Sequence, residues 1–124
     1  MADWQTLYPR LPLLDPARLE QLVKDLGQDA LGRLLILFAE DGIQQGEALE
    51  QAFNEGNHEG MALWCHSLKS ACGSYGALRC QFLAEKLEQA CRQQQTDQVS
   101  LLMAAWQQAL SDTLEAVQLH RESR

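Results

Sequence analysis

Leu31, Leu34, Leu35, Phe38, Gly42, Gln45, Leu49, Ala52 and Phe53 fall on one narrow face when the chain is wound at 100° per residue. The pattern predicts one long helix from Gln28 or Asp29 to Asn54. A stripe of that length has to be covered by other helices, and the rest of the chain repeats the same period. Gly42 and Gly46 each cost about 1 kcal/mol of helix propensity against alanine, so they read as places where a neighbour comes close or the rod bends.

Asp15-Pro16 predicts a helix start, with an N-cap aspartate before proline at the first helical position. Leu19, Leu22, Val23 and Leu26 give that short helix its apolar face, and Gly27 ends it. Gly56-Asn57 breaks the chain again, with Asn57 as the cap of a helix that ends at Gly76. Met61, Cys65, Leu68, Cys72 and Tyr75 form its core face. A further helix spans about Ala77 to Gln94. Its inner face is Cys80, Leu83, Ala84, Leu87, Ala90 and Cys91, and its outer face is Arg79, Glu85, Lys86, Glu88, Gln89 and Arg92. After a polar break, Thr96 or Asp97 caps a last helix from about Gln98 to His120, with Val99, Leu102, Met103, Trp106, Leu110, Thr113, Leu114 and Val117 inward. Residues 121–124 read as a frayed tail.

Residues 1–14 carry Trp4, Leu7, Tyr8, Leu11, Leu13 and Leu14 but are broken by Pro9 and Pro12, so they predict a helical turn near Asp3–Tyr8 and then extended chain. Their apolar side chains either cover one end of the domain or meet a partner. Four long helical patterns with short loops give an all-α fold: an antiparallel up-down-up-down four-helix bundle over residues 15–120, with a short additional N-terminal helix. At 124 residues this is one domain.

The net charge of −7 argues against a nucleic-acid partner, since a phosphate backbone would repel this surface. There is no run long enough to span a bilayer and no basic, then apolar, secretory start, so the expected compartment is the cytoplasm. Cys65, Cys72, Cys80 and Cys91 lie on predicted core faces and read as small buried hydrophobes. No pair has the Cys-x-x-Cys spacing of a zinc or redox site, and no metal is expected.

His66 lies just off the core stripe of its helix. Ala62, Ser70 and Gly73, all short, stand about one turn away on either side, and Lys69 is three residues on. The stretch predicts a protruding imidazole on a low surface with one cation beside it. That patch suits close docking by another protein and stabilisation of negative charge placed on the ring. Ile36 and Ile43 lie off the main face of the long helix; they are either scattered surface residues or part of the same docking patch.

His66-x-Leu68-Lys69 followed by Gly76-Ala77 resembles the signature of histidine-containing phosphotransfer (HPt) domains. The likeness continues through the Leu14-Asp15 helix start, Phe38-x-x-Asp41 and Leu87-Glu88, covering roughly residues 13–117. Ser70 stands where the family usually has glycine. The resemblance implies that His66 carries a phosphoryl group between receiver-domain aspartates, attached at Nε2, with the other ring nitrogen held by a hydrogen bond. Glu88, one helix over, is the candidate for that bond, where family members often place glutamine. It also implies that the short Asp15–Leu26 helix lies across the bundle near His66.

An imidazole that titrates near neutrality keeps one lone pair free. It can attack an acyl phosphate and form a phosphoramidate, with Lys69 placing positive charge near the acquired phosphoryl oxygens. The chain carries no Gly-x-x-x-x-Gly-Lys-Ser/Thr loop. It is therefore expected to be a phosphocarrier and not an enzyme, with no cofactor of its own, Mg²⁺ coming from the partner receiver. The expected partners are the receiver domains of a hybrid sensor histidine kinase and of a response regulator, and the expected state is a monomer. Two other readings stay open: an adaptor that binds receivers without carrying phosphate, and a metal or redox bundle built on the cysteines.

Overall fold

The computed structural model describes residues 3–123, and every element in that range is helical. They are α1 (Trp4–Leu7), a 3₁₀ turn (Tyr8–Arg10), α2 (Pro16–Leu26), α3 (Gln28–Asn54), α4 (His58–Ser74), α5 (Leu78–Arg92) and α6 (Thr96–Glu122). α4 packs against α3 and α5, and α6 also packs against α3 and α5. The shared core holds Leu35, Leu49, Met61, Leu83, Leu87 and Trp106, all essentially without water contact. Each such leucine contributes about 1.5–3 kcal/mol.

The capping residues act as the spacing predicts. Asp15 Oδ1 accepts from the Ala17 amide at 3.1 Å and opens α2, and Asn57 Oδ1 accepts from the Gly60 amide at 2.9 Å and opens α4. Gly27, at φ 90°, ends α2 and starts α3 within one residue. α6 differs from expectation at both ends. It starts at Thr96 with Gln95 as an N-cap that makes no side-chain bond, because Gln94 at φ 56° has already reversed the chain. It continues to Glu122, where Gln118 Nε2 donates to Glu122 Oε1 at 2.9 Å and holds the last turn, so residues 121 and 122 of the expected frayed tail are helical. Arg124 of that tail lies outside the described residues.

Two tethers fix the N-terminal segment. Trp4 Nε1 donates to Gln98 Oε1 at 3.0 Å. Arg79 at the start of α5 donates from Nε to the Leu11 carbonyl and from Nη2 to the Pro9 carbonyl, each at 3.0 Å. Trp4, Tyr8 and Leu14 then lie against the core.

α2 is tied to the end of α4. The Asp15 amide donates to the Gly76 carbonyl at 2.8 Å, and Arg18 Nε donates to the Ser74 carbonyl at 3.0 Å. Gly76 is needed here twice over. Its φ of 73° closes α4, and a Cβ there would lie 2.9 Å from Arg18 Cβ.

The glycines of α3 let α6 approach. A Cβ on Gly46 would lie 2.8 Å from Leu110 Cδ2, whereas one on Gly42 would have 3.8 Å to Leu110 Cδ1. The two positions should therefore respond with opposite sign. Gly42→Ala is expected to gain about 0.5–1 kcal/mol from helix propensity, and Gly46→Val to lose about 1–3 kcal/mol by overpacking. Urea unfolding of the two variants checks this; equal effects would mean that Leu110 simply moves aside.

Candidate functional site

Five of the sequence-predicted residues meet where α4 faces α5. The His66 side chain is 67% exposed, and its Nδ1 lies 3.4 Å from Glu88 Oε2. Glu88 itself is only 11% exposed at the side chain, buried between the helices and not on the outer face of α5 where its spacing placed it. Lys69 Nζ lies 3.3 Å from Glu88 Oε1 in an ion pair, and that oxygen makes no hydrogen bond among the described residues. His66, Lys69, Ser70 and Gly73 also line one open depression, closed on the α5 side by Gln81 and Glu85. Gly73 keeps its floor low: a Cβ there would meet Gln81 Nε2 at 2.7 Å.

Arg92 is the member that sequence reasoning placed on the solvent face and gave no role. Its Nε donates to Glu88 Oε2 at 3.1 Å, and its Nη2 lies 3.0 Å from the same oxygen. The signal was present in the chain, since Glu88 and Arg92 stand four residues apart on one helix. Burial pushes the Glu88 carboxyl up, but Arg92, Lys69 and His66 together outweigh burial and hold it below its ordinary value.

Ala62 does not belong to the exposed patch. It is 2% exposed, so it is part of the core and offers no docking surface. One turn before His66 it is rotated about 40° toward the core stripe, and α5 packs over that edge. Ile36 and Ile43 are exposed on α3, but neither lines the depression around His66. Gln45, which accepts from Ser67 Oγ of α4 at 2.9 Å, marks the flank of α3 that meets α4. Counted from Gly42, the two isoleucines are turned roughly 100–120° in the direction away from that flank.

All four cysteines are buried and unpaired. Cys80 Sγ lies 3.3 Å from Thr113 Oγ1, and Cys91 Sγ lies 3.9 Å from Met61 Sδ. Among the described residues no group of three or more His, Cys, Asp or Glu could hold a metal ion. No helix there is long and apolar enough to cross a membrane.

The arrangement has a definite chemical consequence. A carboxylate only accepts, so a hydrogen bond from the ring to Glu88 would use a proton on Nδ1 and leave a lone pair on Nε2.

Glu88 also links the site to stability. A carboxyl held below its ordinary value contributes stability above the unfolded-state pKa of about 4.3 and loses it as pH falls through the folded value. Wild type is expected to exceed Glu88→Gln by about 1–3 kcal/mol at neutral pH, with the gap closing below about pH 4. Urea denaturation of both proteins across pH measures it, and a gap unchanged in acid would assign the loss to packing.

The model of the Hpt domain family matches residues 33–119. The fold is similar to the crystal structure of histidine-containing phosphotransfer protein B (HptB) from Pseudomonas aeruginosa PAO1, with a TM-score of 0.85 over 91% of this chain and 97% of that one, at 20% sequence identity. No curated protein matches the chain in sequence.

Proposed function

The chain belongs to the Hpt domain family, and from that premise we propose that it is a histidine phosphotransfer protein of a multistep phosphorelay, with His66 as the residue that carries the phosphoryl group. The observation that supports this is an exposed ring whose Nδ1 faces a buried carboxylate, beside an ammonium and above a depression lined by Ser70 and Gly73.

The lone pair of Nε2 attacks the phosphorus of a receiver's aspartyl phosphate. An N–P bond forms, the acyl P–O bond breaks, and the aspartate leaves as a carboxylate. The ring is then a cation that keeps its proton on Nδ1, and Glu88 balances it. Lys69 is placed to turn from Glu88 to the phosphoryl oxygens, while Arg92 stays on the carboxylate. Transfer to a second receiver runs the same steps backward, and each receiver brings the Mg²⁺ that its own aspartate requires. The chain acts as a phosphocarrier fed by the receiver of a hybrid sensor kinase and emptied by a response regulator. Its helices form an antiparallel up-down-up-down bundle that works as a cytoplasmic monomer, with α2 laid across one end.

Wild-type protein mixed with an isotopically phosphorylated receiver should take up label on His66, and His66→Gln should take up none. Lys69→Ala should transfer roughly tenfold or more slowly with an unchanged helical circular dichroism spectrum. A wild-type protein that binds the receiver but never becomes labelled would make it an adaptor instead.

Filling the depression should act on docking alone. Gly73→Phe displaces the flexible end of Gln81 and is expected to slow transfer severalfold while shifting the melting temperature by only a few degrees. An unchanged rate would move the docking face elsewhere.

A further inference from the structure

A large cavity lies away from His66. It is a groove of about 1070 Å³ between α2, the start of α3 and the end of α6, closed by Leu13 and Leu14, and no residue of α4 lines it. Leu19, Leu31, Leu35 and Ala116 form its apolar floor, and Leu119, 58% exposed, stands on its rim.

The charge around it runs against that of the chain. The chain carries a net charge of −7, yet among the described residues Lys24, Arg79 and Arg121 line this groove against a single carboxylate, Glu20. None of the three cations forms an ion pair among the described residues; all three salt bridges there go to Glu88. Arg79 donates to two backbone carbonyls, and Arg121 Nη1 donates to Gln118 Oε1 at 3.4 Å. Neutral acceptors leave the positive charge in place to attract an anion.

An apolar floor under uncompensated cations calls for a ligand that is a hydrocarbon with one acidic end. The volume lies just above the usual range of small-molecule pockets, about 300–1,000 Å³. We infer that the groove between α2, α3 and α6 binds a single-chain aliphatic carboxylate of the fatty-acid class, with its chain over Leu31 and Leu35 and its carboxylate among Lys24, Arg79 and Arg121. The site is independent of the phosphotransfer reading, because its ligand leaves His66 and Glu88 uncovered.

Titration of the full isotope-labelled chain with decanoate and dodecanoate, below their aggregation concentrations, tests this by amide shifts. The expected result is saturable movement of Val23, Leu31 and Leu119, with dodecanoate binding roughly tenfold tighter for its two extra methylenes. Dodecyltrimethylammonium should bind roughly tenfold or more weakly than dodecanoate. Lys24→Glu and Leu119→Glu, both at exposed positions, should each weaken dodecanoate severalfold with the helical spectrum intact. Equal binding of the cationic amphiphile, shifts centred outside the groove, or no saturable shift would each overturn the proposal.

Discussion

Glu88 holds a negative charge between two helices with little water around it. A carboxylate in that position costs several kcal/mol unless it is paired. Arg92 pairs it from the same helix and Lys69 from the next one, so the charge ties α4 to α5 at the level of His66. The ring takes the remaining approach to Oε2. A glutamine of the same shape could offer either a donor or an acceptor to the ring, and would not by itself decide which nitrogen is protonated. A carboxylate can only accept from the ring nitrogen that faces it.

The surrounding fold serves to keep that junction in place. Gly76 ends α4 and lets α2 close onto it, and Arg18 and the Asp15 amide bind the carbonyls freed by that ending. Gly46 admits Leu110 on the opposite side. The positions that read as weaknesses in helix propensity are therefore close approaches between elements, where a side chain would push neighbours apart.

The helices, most of their caps and the prominence of His66 were legible in the sequence, because each depends on spacing within one segment. Asp15-Pro16, Gly27 and Asn57 act through atoms a few residues away, and the pattern contains that information. What spacing could not tell is which flank of a helix its neighbour covers. Ala62 and Glu88 lie on the edges of their core stripes, and α4 and α5 bury both edges in each other. Arg92 reads as an ordinary surface cation until the carboxylate four residues before it is known to be buried. The early start of α6 depends on the left-handed turn at Gln94, a conformation that glutamine does not advertise.

The burial of Cys65, Cys72, Cys80 and Cys91 has a practical consequence. Burial pushes the Cys65 thiol up and holds the Cys91 thiol at about 11, so neither offers a ready thiolate. The Cys80 thiol is held below its ordinary value by the Cys72 thiol beside it, but it is as deeply buried as the others, so no native sulfur is presented to alkylating reagents. A cysteine introduced at an exposed helical position would be the first group to react, and could carry a dye or spin label without removal of the native sulfurs.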